Sequence, residues 1–151
     1  MIEITNSRHL SHLLKQLDKD KIAVFGKMTS QHMVEHLQMV LSTSNGKFPQ
    51  ECRLPQEISH GYKMKFVYTD AELPAGVKFP GSKDALPDLR NENLEIAIEK
   101  LFDELGVFHQ YFKDHPESTP IHTFLGALNY REWIIFHGKH FSHHFKQFEL
   151  I

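Results

Sequence analysis

The C-terminal stretch EWIIFHGKHFSHHFKQFELI, residues 132–151, holds four histidines within eight positions, set among large apolar side chains. An α-helix turns about 100° per residue, so His137, His140 and His144 share one apolar face, and His143 lies at its edge. His140 and His144 stand four residues apart, the spacing at which imidazoles on successive helical turns bind one metal ion. The stretch therefore contains a candidate pair of metal ligands.

A second histidine-bearing segment, TSQHMVEHLQMVLSTS at about residues 29–44, supplies a candidate third ligand. His36 falls on the apolar stripe of this predicted helix beside Met33 and Leu37, and His32 lies one turn before it. Neutral imidazole nitrogens suit zinc, nickel, copper and iron, and three of them leave coordination positions for water or substrate.

The same histidines also fit a second interpretation, in which they are packed and hydrogen-bonded core residues. A lone histidine on an apolar face is more often of this kind than a metal ligand. Three on one face are harder to pack, because each buried polar group without a partner costs about 1–3 kcal/mol. From the pattern alone, both a metal site and a set of packed histidines stay open.

The elements that would position these side chains are predicted to be helices, which makes the fold class all-α. The predicted helices cover residues 6–19, about 29–44, about 91–115, and the stretch from Asn129 toward the C-terminus. Glu132 stands three residues after Asn129, as in a capping box. We expect a single domain over residues 1–151, folded as an up-and-down four-helix bundle whose sites are built from inward-facing side chains.

Residues 46–90 form a long crossover between the second and third predicted helices and hold five of the seven prolines. Within it, YKMKFVYTD fits either a short strand or a final helical turn. Connections this long serve as lids or binding loops, or wrap over the surface of the bundle. The sequence does not decide between these roles.

Composition narrows the possible partners and the compartment. A formal net charge of −2 gives no reason to expect a nucleic acid, and no apolar run approaches the roughly 18 residues that cross a bilayer. Cys52 is the only cysteine, so no intrachain disulfide is expected. The sequence thus predicts a cytoplasmic protein that binds neither nucleic acid nor membrane.

Two blocks of the chain resemble the DinB-like (YfiT-type) superfamily, within a branch of small bacterial proteins. The first block is GKMTSQHMVEHL, and the second is HTFLGALNYREWIIFHGKHFSHHFKQF, which ends in the pattern His140, His144, Gln147. The resemblance implies a four-helix bundle that is a homodimer. It also implies a divalent metal, nickel or zinc first and iron or manganese as alternatives, held by His36, His140 and His144.

The resemblance further implies an enzyme acting on a small-molecule substrate, either a metal-dependent hydrolase or a transferase using a low-molecular-weight thiol. The metal would act as a Lewis acid toward water or bind the thiol as thiolate. His32, His137 and Gln147 are the candidates for supporting the ligands or transferring protons, and His137 is an alternative ligand because it shares the face. The rival hypothesis is a metal-binding or scaffold bundle without turnover, and a third is a site that holds no metal.

Overall fold

A computed structural model describes residues 1–76 and 85–151, and within them the chain is mostly helical. The helices are α1 (Ser7–Leu14), α2 (Ser30–Thr43), α3 (Gln56–Tyr68), α4 (Leu94–Asp114) and α5 (Tyr130–Gln147). Between α4 and α5 lies a small antiparallel hairpin of β1 (Ile121–His122) and β2 (Gly126–Ala127). The all-α prediction is thus confirmed at the level of a mostly helical fold.

Four helices begin where a polar side chain accepts a hydrogen bond from a backbone N–H of the first turn. Asn6, Thr29, Asn93 and Asn129 cap α1, α2, α4 and α5 in this way. Asn129 and Glu132 form the predicted capping box, in which each side chain accepts from the other residue's backbone N–H. The caps at Thr29 and Asn129 fix the starts of α2 and α5, the two helices that carry the candidate metal ligands.

The prediction of four helices is wrong over residues 56–68, where the crossover contains helix α3. Little of this helix is inserted into the core: only Ser59 and Val67 on it are buried, and Phe66 packs against the core from outside. It is attached through polar contacts instead: Lys63 Nζ lies 2.8 Å from a carboxylate oxygen of Glu132, and the Tyr68 hydroxyl donates to the same oxygen at 2.5 Å. The predicted loop residues 77–84 lie outside the described residues.

The core forms where α2 packs along α4 and meets α5. Its largest fully buried side chains include Trp133, Phe141 and Phe145 of α5, Phe108 of α4 and Met33 of α2. The inner face of α5 is therefore both aromatic and histidine-bearing, so its imidazoles lie in a medium that excludes water. None of the helices in the described part of the chain has the length and hydropathy to cross a membrane.

Candidate metal centre

Three histidines from two helices converge on one point. His36 Nε2 of α2 lies 3.0 Å from His140 Nε2 of α5, and His144 Nε2 lies 3.1 Å from the same atom. The three rings meet edge to face with centroids 4.8–4.9 Å apart, and the three candidate ligand atoms all lie within 4.8 Å of one another. We refer to His36, His140 and His144 as the three-histidine cluster.

The cluster is largely buried, with His36 the partly exposed member, and burial keeps its imidazoles neutral. Only 9% of His140 and 6% of His144 is exposed. Burial is the main cause that lowers the pKa of His36 to about 4 and that of His144 to about 3, and it holds the pKa of His140 well below its ordinary value. Neutral imidazole is the form that binds metal ions, so the cluster is in its ligating form at neutral pH.

Gln147 determines which nitrogen of His144 carries the proton. The Gln147 amide donates from Nε2 to the carbonyl oxygen of Phe25 at 2.7 Å, which turns Oε1 toward His144 Nδ1 at 2.8 Å. Because Oε1 only accepts, Nδ1 of His144 must be the donor, and its Nε2 presents a lone pair to the cluster. This is the arrangement in which a second residue orients a metal-ligating histidine.

The hydrogen-bond count in the cluster is incomplete without a cation. With Nε2 of His144 unprotonated, the two short contacts can share at most one N–H, from either His36 or His140, and Nδ1 of His140 has no partner among the described residues. The nitrogen lone pairs that are left without a hydrogen converge at this distance and repel one another. The donor set therefore fits a positive ion better than it fits three imidazoles alone.

Two of the three nitrogen separations in the cluster match those around a metal ion. Zinc–imidazole bonds of about 2.0–2.1 Å at angles between 90° and 109° place adjacent nitrogens about 2.8–3.4 Å apart. The two short Nε2 separations, 3.0 and 3.1 Å, fall inside this range.

His137 lies on the same face of α5 but is bound elsewhere. Its Nε2 lies 2.9 Å from Ser44 Oγ, and because that hydroxyl donates to Leu41 O, the imidazole is the donor. The His137 ring stacks on Trp133 with centroids 5.2 Å apart and planes inclined by 21°. This geometry does not support His137 as a metal ligand. A role for His137 in proton transfer stays a prediction.

His32 is also turned to other partners. Its Nε2 lies 3.0 Å from Pro87 O, which can only accept, and its Nδ1 lies 2.7 Å from Thr29 Oγ1. Both ring nitrogens are therefore occupied by loop atoms at the start of α2. Of His32, His137 and Gln147, only Gln147 forms a hydrogen bond with a histidine of the cluster in the described part of the chain.

Glu35, beside His36 in sequence, serves to anchor the chain that leads into α4. Its carboxylate accepts from the backbone N–H groups of Arg90 and Asn91 at 2.8 and 2.9 Å and from Gln31 Nε2 at 3.0 Å. Burial acts to raise the pKa of Glu35, but these hydrogen bonds outweigh it and lower the pKa to about 2. The carboxylate is thus committed to structure, and we assign it no part in catalysis.

A cavity of about 740 Å³ lies on another face of α5, between this helix and the segment after α3. It is lined by Ile135, Lys139 and Lys146, which are turned about 120–160° away from the cluster. His143 lies between the two regions, with its ring centroid 5.0 Å from that of His144. The cluster therefore does not form the floor of this cavity.

The comparisons with known proteins return no relative: the chain matches no protein-family model, no curated protein and no solved structure. The resemblance to the DinB-like superfamily therefore stays a prediction.

Sequence reasoning missed the partners that hold the histidines. Ser44, the partner of His137, and the Phe25 carbonyl, the partner of Gln147, carry no sequence signal of their own. The Phe25 interaction uses a backbone atom, which every residue possesses. Only Gly26 beside it gives a hint, since a glycine in a loop often permits close approach of the backbone.

Proposed function

We propose that this chain is a metal-dependent enzyme whose three-histidine cluster holds a divalent cation and acts on a small molecule. The observation that carries the proposal is the convergence of three Nε2 atoms with one N–H, at most, to share between their two short contacts. Imidazole ligands suit zinc and nickel, with iron as an alternative. The resemblance to the DinB-like superfamily adds manganese as a further alternative. The finer fold, a DinB-like up-and-down bundle forming a homodimer, is part of the same proposal.

The roles of the protein groups follow from the contacts. His36, His140 and His144 would hold the cation from three sides, and Gln147 would keep His144 in the tautomer that presents Nε2. When bound, the metal supplies Lewis-acid chemistry, either toward water for hydrolysis or toward a low-molecular-weight thiol for transfer. Burial of the imidazoles keeps protons from competing for the same lone pairs near neutral pH.

Elemental analysis of protein purified without a metal-affinity tag tests the site. We expect about one metal ion per chain in the wild type and less than about 0.2 in His36→Ala, His140→Ala and His144→Ala. His60→Ala is the matched control, because His60 is exposed on α3. A wild type with the metal content of the three cluster variants would refute the site.

A second candidate function is favoured by the burial of the cluster. A cation enclosed by α2 and α5 with no exchangeable position would be structural, as in closed zinc sites. The two functions differ in the response of Co²⁺-loaded protein to an added thiol such as glutathione. A change in the visible absorption spectrum shows an open position and supports the enzyme, whereas an unchanged spectrum with metal-dependent stability supports the structural role.

A further inference from the structure

The segment that joins α1 to α2 crosses over the end of α5 beside the cluster. We call residues 21–27 the strap. Its backbone is tied to α5 where Val24 N donates to Gln147 O at 2.9 Å. The Phe25 ring packs on His143 with centroids 5.4 Å apart, and the ammonium group of Lys21 forms an ion pair with Glu149.

Gln147 connects the strap to a cluster histidine with a single buried amide. Its Nε2 donates to Phe25 O, at 2.7 Å, and its Oε1 accepts from His144 Nδ1, at 2.8 Å. Only 4% of Gln147 is exposed, so water does not compete for either hydrogen bond. If either bond breaks and the amide turns, the other is also lost, because one planar group makes both.

Gly26 shows how closely the strap approaches this amide. Its φ of +78° lies in the left-handed region that favours glycine, and a Cβ at this position would come within 2.9 Å of Gln147 Nε2. The backbone conformation therefore favours glycine here, and any larger residue would displace the Gln147 amide.

Apart from Ala23, which packs against the core, the apolar side chains of the strap are largely exposed. Ile22 is 85% exposed, Val24 56% and Phe25 37%. A segment with few buried apolar contacts opens at low cost in free energy, so a modest change in its hydrogen bonds shifts its equilibrium.

We propose that Gln147 is a positioning residue that couples metal binding at the three-histidine cluster to docking of the strap. A cation on His144 Nε2 holds the proton on Nδ1, which fixes Oε1 of Gln147 and leaves Nε2 aimed at Phe25 O. Coupling of two binding equilibria is reciprocal. If a bound metal ion raises the equilibrium constant for strap docking by some factor, a docked strap raises the affinity for the metal by the same factor. The inference rests on the proposed metal site.

Limited trypsin digestion measures strap docking directly, since Lys21 and Lys27 bound the strap. The probe is Co²⁺ alone, whose visible absorption reports binding while mass spectrometry follows cleavage after each lysine. We expect Co²⁺ to slow cleavage after Lys27 by roughly 10- to 100-fold in the wild type, the range by which partners of metal ligands change affinity. Cleavage after Lys47, outside the strap, serves as the internal control and should not change.

Two substitutions separate the two hydrogen bonds of Gln147. Gln147→Glu keeps an acceptor for His144 but loses the donor to Phe25. It should still bind Co²⁺, without the gain in affinity that the docked strap provides, and Co²⁺ should no longer protect the strap from trypsin. Gln147→Leu loses both bonds and should weaken Co²⁺ binding roughly 10- to 100-fold. Gln110→Glu and Gln110→Leu, on the exposed surface of α4, are the matched controls.

Gly26→Ala provides a test from the side of the strap. It touches no cluster histidine, yet we expect it to weaken Co²⁺ binding, because its Cβ displaces the Gln147 amide. Gly106→Ala is the control, since a Cβ there meets nothing within 4 Å.

The outcomes distinguish this inference from the metal site itself. A wild type that binds no Co²⁺ overturns the proposed function and the coupling together. Binding that requires the cluster histidines, with strap cleavage independent of Co²⁺ or protection retained in Gln147→Glu, overturns the coupling alone.

Discussion

His122 offers a test of how burial controls the histidines of this protein without involving the candidate ligands. Its Nδ1 accepts from the backbone N–H groups of Phe124 and Leu125, both at 3.1 Å, and its ring lies against Phe136 with centroids 4.4 Å apart. Burial lowers the pKa of His122 from 6.5 to about 4. We predict that His122→Asn, which keeps a neutral acceptor and removes the titration, makes the stability of the protein less sensitive to acid.

The sign and size follow from proton linkage. Between pH 6.5 and pH 4 the unfolded chain binds a proton at His122 that the folded chain excludes, so the free energy of unfolding falls as the pH falls through this window. With the two pKa values given, His122 alone removes about 2 kcal/mol between pH 7.5 and pH 5, and at most about 3.4 kcal/mol below pH 4. Above pH 6.5 it has no such effect.

Urea unfolding of the metal-free wild type and His122→Asn at pH 7.5, 6 and 5 measures this difference. The other buried histidines contribute to both proteins, so their effects cancel in the comparison to first order. We expect Asn to destabilise the protein at pH 7.5, because the smaller side chain leaves space beside Phe136, and the gap to narrow by about 2 kcal/mol at pH 5. A gap that is constant from pH 7.5 to pH 5 would refute the assignment of a partly buried His122 that stays neutral in the folded protein.

Three further predictions concern packing, hydrogen bonding and metal. Ser44→Ala should destabilise the protein by about 1–3 kcal/mol because it leaves the buried N–H of His137 unpaired, whereas Ser44→Thr, which keeps a hydroxyl, should cost less; urea unfolding compares them. Gly138→Ala should destabilise the protein by about 1–3 kcal/mol, since its Cβ would lie 2.6 Å from Ile2 O. Gly106→Ala should instead stabilise the protein by roughly 0.5–1 kcal/mol, and thermal unfolding measures both effects. Zn²⁺ at about 100 times its dissociation constant should raise the free energy of unfolding by about 2.7 kcal/mol, an increase that a chelator reverses and that is absent when any cluster histidine is alanine.

The sequence allowed the histidine-bearing helices to be predicted because their signals are local. Thr29 and Asn129 cap α2 and α5, and a repeat of apolar residues fixes the inner face of each helix. Helix α3 could not be predicted in this way, because few of its apolar residues are buried and its contacts to the carboxylate of Glu132 reach about 64–69 residues along the chain. A contact between a side chain and a carboxylate far along the chain produces no periodic pattern of residues in the sequence.

The position of α2 along α5 determines which residue each buried histidine of α5 contacts. His36 of α2 faces His140 and His144 of α5. Ser44 lies just past the end of α2, eight residues or about 12 Å beyond His36, and it faces His137. His137 precedes His140 and His144 along α5. The reversed order shows that the two helices run antiparallel at this contact.

Register therefore decides which imidazole meets another imidazole and which meets a hydroxyl. Two residues of axial slip, about 3 Å, would be enough to move His36 from the level of His140 toward that of His137. Periodicity places all three histidines of α5 on one face, but it contains no information about this slip, which is set by the packing of α2 against its neighbours. The choice between a ligand and a packed histidine is thus made by tertiary contacts, and any substitution that shifts α2 along α5 should change metal binding without altering a single candidate ligand.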